Sequence, residues 1–266
     1  MNNTRANERL QVLISVLGKG IQRVRTRMLP QLSTCDVVIA HQIPNDKEEE
    51  FSEECVAYTS SHTSGLSRNR NNALAAARDG ITLIADDDLE YVSGFDRIIL
   101  NAFDTHPEAD IITFDTKERS SQKGVCAHTL RSIASVSSVT IAFRRERITA
   151  AGITFDERFG LGSKYPTGEE NIFLKDCLDA GLILLYVPKI IVSHSHASSG
   201  YVLNETTLRG KIAAFFRMYG LPGACVAVWY FPVFKYQYYK TYMNPFRAIM
   251  VTMTMFFRII SGKELF

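Results

Sequence analysis

Three consecutive carboxylates, Asp86-Asp87-Asp88, follow the apolar run ITLIA at 81–85. Like charges about 4 Å apart repel by roughly 4 kcal/mol at an effective dielectric of 20, so such a run needs a compensating charge or open solvent. Carboxylate oxygens are the ligands that Mg2+ or Mn2+ prefers. Alternation along an extended chain puts Asp86 and Asp88 on one side and Asp87 on the other. The competing reading is a solvated turn in which Asp88 caps the following segment. Upstream, SGLSRNRNNALAAA places Arg68 and Arg70 in the first turn of an expected helix, where cations oppose the macrodipole. Free backbone N–H groups and two guanidinium groups suit a bound diphosphate, with Gly65 allowing close approach. The alternative is that both arginines pair with surface acids such as Glu48–Glu50. Downstream, Thr167-Gly168-Glu169-Glu170 precedes an apolar stripe of Ile172, Phe173, Cys177 and Leu178. It reads either as a capping box or as a site where a carboxylate takes a proton from a hydroxyl. His194 and His196, spaced i, i+2, would point to one face of a strand, as a ligand pair or as structural histidines.

The elements that must hold these groups alternate. QVLISVL (11–17) and DVVIA (36–40) are short, β-branched and nearly continuously apolar, as expected of strands buried on both faces. A helix is predicted between them over 19–32, ending near Pro30. Residues 45–54 read as an acidic solvated loop or helix, and 56–59 as a strand. The alanine-rich stretch 67–79 reads as a helix with Ser67 as N-cap and Gly80 as its stop. After the strand 81–85, a helix is expected over 95–103 and a strand over 110–114. Segments 125–130 and 136–143 read as an extended pair, 172–179 as a helix closed by Gly181, and 182–187 and 190–193 as extended. The loop 159–166 (FGLGSKYP) reads as a mobile rim. This alternation predicts a three-layer α/β domain with a mostly parallel sheet, whose ligands sit at the carboxyl ends of strands.

The composition of the 266-residue chain, 46% hydrophobic and 22% charged, excludes disorder and a polytopic membrane protein. Five scattered cysteines without a CxxC pair argue against a disulfide framework. The opening MNNTRANERL lacks the apolar stretch of a signal peptide, which predicts a cytosolic chain. The net charge of +2 hides an asymmetry. From Thr207 onward there are eight Lys/Arg against one acid, so the tail is +7 and the remainder −5; 15 of the 28 aromatic residues also lie there. LPGACVAVWYFPVF and AIMVTMTMFF are too apolar for a groove that tracks phosphates, so nucleic acid is not expected as a partner. Met218–Phe234 is uncharged over 17 residues but interrupted by Pro222, Pro232 and two glycines. The favoured reading is an interfacial segment on an anionic membrane surface; the alternative is a helical layer packed on the domain.

GLSRN, a helix, then ITLIADDD resembles the core of the family 2 glycosyltransferases, which have the GT-A fold. TGEENIFLKDCLDAGLILLYVP is similar to that family's G-E-D/E segment. The resemblance covers roughly residues 10–200. It implies inverting, Mg2+- or Mn2+-assisted transfer of a sugar from a nucleotide-diphosphate donor. By residue, it implies that Asp88 holds the metal, with Asp86 near the ribose or the metal and Asp87 beside it. Arg68 and Asn69 would shape the donor-diphosphate region, with Arg70 alongside. Glu170 would be the base and Glu169 its orienting neighbour, or the reverse. Some enzymes of this fold use a His after the last core strand as a metal or acceptor contact, which places His194 and His196 among the candidate metal ligands. The chain departs from the family where its first strand ends VLGKG and its second reads VVIAHQIP.

The resulting expectation is a GT-A, Rossmann-like catalytic domain over 1–206 and an amphipathic, helical, membrane-associating extension over 207–266. The acceptor would be a glycan or a lipid-linked saccharide in surface-polysaccharide assembly, on the inner face of the cell membrane. The alternatives are a nucleotidyltransferase on a related scaffold and a non-catalytic membrane-associated protein.

Overall fold

The computed structural model describes residues 9–43, 51, 53, 56–120, 124–193 and 202–264. It divides into two compact units. The first comprises Met1–Ser64, Arg68–Phe155 and Phe173–His196. Its elements in chain order are β1 (Gln11–Leu17), α1 (Gly20–Arg23), β2 (Asp36–Gln42), β3 (Val56–Ser61), α2 (Leu66–Ala76), β4 (Ile81–Ala85), β5 (Glu90–Tyr91), α3 (Phe95–Thr105), β6 (Ile111–Thr116), β7 (Cys126–Ala127), β8 (Ile141–Arg144), α4 (Arg145–Ala150), α5 (Glu169–Asp179) and β9 (Leu184–Ser193). The first residues of α2 and α5 belong to the second unit. α1 continues through a π turn (Val24–Met28) and a 3-10 turn (Leu29–Gln31), together filling the helix expected over 19–32.

The sheet order is β3-β2-β1-β4-β8-β6-β9-β5, with β7 also paired to β9. β1, β2, β3, β4, β6 and β9 point one way and β5, β7 and β8 the other, so six of nine strands are codirectional. Strand alternation divides the apolar residues between two cores. Val12, Ile14, Val37, Ile39 and Leu83 face the layer of α1 and α3. Leu13, Val38, Ile84, Ile141 and Phe143 face the layer of α2, α4 and α5. The central strands β1 and β4 therefore read as nearly continuously apolar because both of their faces are covered, which is the three-layer architecture expected.

Several local expectations are corrected. Ser67 is not the N-cap of α2: it lies inside the helix and its hydroxyl donates to Phe159 O at 2.6 Å. The pair expected over 125–130 and 136–143 is shortened to β7 and β8, because 3-10 turns at Ile133–Ser135 and Ser138–Thr140 take the intervening chain. The two segments around Pro188 are one strand, β9. Its proline is accommodated by register shifts against β6, where Thr113 pairs Tyr186 and Asp115 pairs Ile190. The acidic stretch 45–54 lies almost entirely outside the described residues, as do Glu48–Glu50.

The second unit comprises Gly65–Ser67, Asp156–Ile172 and Ala197–Phe266. It holds α6 (Glu205–Phe234), α7 (Tyr236–Tyr239) and α8 (Pro245–Ile260) around a core that includes Phe159, Tyr165, Leu208, Ile212, Val228 and Val251. Asn204 and Asn244 cap α6 and α8, accepting from Thr207 N and Arg247 N, and Pro245 sits at the first turn, where its missing N–H costs nothing. The loop 159–166 is a closed turn rather than a mobile rim. Phe159 and Tyr165 are buried and bridged, and Gly160 N donates to Tyr165 O, Tyr165 N to Arg158 O and Ser163 N to Gly160 O. The Glu264 carboxylate accepts from Lys164 Nζ at 2.7 Å, Tyr165 Oη at 2.6 Å and Arg258 Nε at 2.8 Å. Burial pushes this carboxyl up, but the three donors bring it down to about 2.

Candidate functional site

β1 lies between β2 and β4, so the chain winds outward from it in both directions. The crevice beyond the carboxyl ends of β1 and β4 is the topological switch point, where open α/β sheets bind ligands. Two sequence features meet there: Gly18-Lys19-Gly20 after β1 and Asp86-Asp87-Asp88 after β4, whose strands are in register with Ile14 beside Ala85.

The aspartates turn rather than continue the strand, and all three are half-buried. Asp86 Oδ1 accepts from Arg70 Nη2 at 3.1 Å, and the same guanidinium group donates to Ser138 Oγ at 3.0 Å and lies over the Phe155 ring at 5.6 Å. Asp87 accepts two bonds from Arg23 Nη2, at 2.9 and 2.7 Å. Successive carboxylates are thus met by arginines from opposite helix layers, α2 and α1. Burial pushes the Asp87 carboxyl above its ordinary range, and Arg23 offsets only part of that. The Asp87 carboxylate packs directly on Gly20, where a methyl group would displace Oδ2 from its present position. Sequence reasoning missed Arg23; the local signal is structural, a π turn starting at the next residue, a distortion frequent at functional sites.

Arg70 is 3% exposed and committed to Asp86, whereas Arg68 is exposed on the same helix. Asn69 is buried, and its Nδ2 donates to Val16 O at 3.1 Å and Ala40 O at 2.8 Å, tying the carboxyl end of β1 to β2. His41, also missed, extends this brace: its ring nitrogens contact Tyr58 Oη at 2.8 Å and Gly18 O at 2.7 Å.

The donor set fits a hard divalent cation, being carboxylate oxygens in a turn at a strand end. Among the described residues no three His, Cys, Asp or Glu side chains converge as a metal cage. Protein carboxylates would then supply one or two ligands and a bound diphosphate others, the usual habit of Mg2+. His194 and His196 lie outside the described residues.

In the second unit, α5 opens at Glu169, with Gly168 before it at φ 86° and Ile172 N donating to Gly168 O. Gly168, not Thr167, therefore precedes the first helical residue, so the expected capping box is out of register by one residue. Glu169 is 7% exposed and Glu170 half-buried. The turn at 159–165 packs on this start: a methyl group on Gly160 would lie 3.4 Å from both Cγ and Cδ of Glu169. The residues opening α2 reach the same turn, with Leu66 N donating to Leu161 O at 2.8 Å.

No family model and no curated protein matches the chain. Solved structures are similar to it. TarS 1–349 of S. aureus in complex with UDP-GlcNAc has a TM-score of 0.64 at 13% identity, covering 94% of this chain and 81% of that one. Mannosyltransferase PcManGT from Pyrobaculum calidifontis, in complex with GDP-Man and Mn2+, has a TM-score of 0.58 at 11% identity, covering 98% and 77%. At these identities the likeness establishes architecture: the chain has the GT-A-like, Rossmann-related α/β fold.

Proposed function

We propose that this protein is a glycosyltransferase that moves a sugar from a nucleotide-diphosphate donor to a glycan or lipid-linked saccharide acceptor, with inversion, in surface-polysaccharide assembly. The observation that carries the reading is the aspartate turn at the switch point of a GT-A-like sheet, held from two sides by Arg70 and Arg23. The solved neighbours of this fold hold UDP-GlcNAc, UDP or GDP-Man, and one of them Mn2+.

In this reading Asp88, with Asp86, holds Mg2+ or Mn2+, and exposed Arg68 reaches the donor diphosphate. Such a cation, when bound, offsets the charge developing on the departing diphosphate. Glu170 accepts the proton of the acceptor hydroxyl as its oxygen forms the new bond to the anomeric carbon. The bond from that carbon to the phosphate oxygen breaks on the opposite side, and the nucleoside diphosphate leaves with the electron pair. Glu169, pinned by the Gly160 turn, orients its neighbour. Arg70, Asn69 and Asp87 position the turn and strand ends. The basic, aromatic C-terminal helices fit a peripheral place on the inner face of the cell membrane.

A transfer or donor-hydrolysis assay with a panel of nucleotide sugars tests this. Turnover should require Mn2+ or Mg2+, be abolished by chelator, and fall by about 100-fold or more in Asp88→Ala and in Glu170→Gln. Full activity of Asp88→Ala in chelator would overturn the mechanism.

A further inference from the structure

We infer that the exposed face of the second half of α6, with the turn that follows it, docks on the surface of an anionic lipid bilayer. Gly220 has non-helical angles (φ 65°, ψ −157°) and divides α6 into Glu205–Tyr219 and Leu221–Phe234. Fourteen or fifteen residues rise about 21–22 Å, short of the roughly 30 Å hydrocarbon core. The second half also has two unlike faces. Ala224, Ala227, Val228 and Phe231 are buried in the core of their unit. Leu221, Val226, Trp229, Tyr230, Val233 and Phe234 are exposed, Val226 by 61% and Phe234 by 71%. The exposed positions recur at helical spacing and form a stripe about 20 Å long. A segment buried on one side and apolar on the other lies on a bilayer rather than crossing it.

Charge decides what covers the stripe. Between Glu205 and Glu264 the sequence contains eight Lys/Arg and no acid. Glu205 is paired with Arg247, and Glu264 with Lys164 and Arg258. Lys235 closes the stripe, its ammonium 5.5 Å from the ring centres of both Tyr230 and Tyr238, and Lys240 is exposed one turn on. A second copy of the chain would set one basic surface against another, which like-charge repulsion opposes. A polyanion without an apolar phase would leave the stripe in water. An anionic bilayer answers both properties: Trp229, Val233 and Phe234 enter the acyl boundary, Tyr230 sits at headgroup depth, and Lys235 and Lys240 meet phosphate.

Trp229 is the chain's only tryptophan and lies in this face, so it reports docking directly. Full-length protein is titrated with phosphatidylcholine vesicles, with and without phosphatidylglycerol, following tryptophan emission and co-sedimentation. A blue shift and sedimentation are expected with the anionic vesicles and should weaken with salt. The double variant Val233→Glu/Phe234→Glu should reduce affinity about tenfold or more. Lys235→Glu/Lys240→Glu should do likewise, since each lysine near the surface contributes about fivefold. All four side chains are at least partly exposed, so melting temperatures should match wild type. Unshifted emission with anionic vesicles, or equal binding to neutral ones, overturns the inference. So does a blue shift that grows with protein concentration alone and tracks a dimer in sedimentation equilibrium. None of these readouts involves sugar transfer, so failure here and failure of the transferase reading are distinguishable.

Discussion

Arg70 of α2 and Asp86 of the turn after β4 form an ion pair of 3.1 Å in which the guanidinium group is 3% exposed and the carboxylate 30%. Two segments that read as separate ligand sites are therefore one electrostatic unit: the second arginine of SRNRN answers the first carboxylate of the aspartate run. Arg70 also holds Ser138 and lies over Phe155, so it joins three stretches of the first unit. Arg70→Ala should lower stability by about 2–4 kcal/mol, as it leaves Asp86 and Ser138 without their donor. Arg70→Lys should recover only part, because one ammonium cannot reproduce the planar fork and the stacking together. Calorimetric melts of Arg70→Ala, Asp86→Asn and the double variant would give the coupling energy; an Arg70→Ala melt identical to wild type would refute the pairing.

Asn69 and Arg68 are sequence neighbours with opposite surroundings. Asn69 spends its amide nitrogen on two buried carbonyls, Val16 O and Ala40 O. Asn69→Ala should cost about 2–3 kcal/mol through those unsatisfied groups. Arg68→Ala, at an exposed position, should leave stability within about 0.5 kcal/mol and, under the proposed function, raise KM for the donor. Paired thermal melts and donor titrations separate a positioning role for Asn69 from the donor contact proposed for Arg68.

The layer order was legible because buried strands of 5–7 residues announce themselves as apolar runs, and Gly80 and Gly181 punctuate the helices. The DDD segment stood out because it ends an apolar run with charge, and GLSRN and GEE because each puts charge at the opening of an expected helix. What could not be read was partnership. Arg23 lies 64 residues from Asp87, in a basic helix whose sequence does not distinguish it from Arg25 or Arg27. Ser67 has the chemistry of an N-cap, yet its hydroxyl donates to Phe159 O, 92 residues away. The turn at 159–165 carries two glycines and a lysine, the composition of a loose loop, but Phe159 and Tyr165 anchor it in the same core as the C-terminal helices. Tertiary packing overrides local propensity at each of these places.

His128 gives the first unit a pH-dependent stability. Its ring nitrogens contact Thr113 Oγ1 at 2.6 Å and Ser132 Oγ at 2.9 Å, and burial pushes it down to about 4. The folded state therefore favours the neutral ring, while the unfolded chain binds a proton near pH 6.5. This contribution is fully present above pH 6.5 and is lost as pH falls toward 4, up to about 3 kcal/mol in total. Melting temperature should decline across that interval, and His128→Gln should flatten the decline. An unchanged slope in the variant would assign the acid sensitivity elsewhere.

Pro232 and Thr252 test how the second unit closes its helical hairpin. Pro232 sits four residues beyond Val228 in α6 and has no N–H, so the Val228 carbonyl loses its helical donor. Thr252 of α8, fully buried, supplies a replacement: its hydroxyl lies 3.1 Å from Val228 O and 3.0 Å from its own Ile249 O. Thr252→Val keeps the shape, removes that proton and should cost about 1–2 kcal/mol. Pro232→Ala restores an N–H within reach of Val228 O, so the threonine becomes redundant. In that background Thr252→Val should cost about 1 kcal/mol less than in wild type, a coupling that a double-mutant cycle of denaturation midpoints resolves. Additive effects of the two changes would mean that Val228 O is satisfied some other way, and that the two helices are held by apolar packing alone.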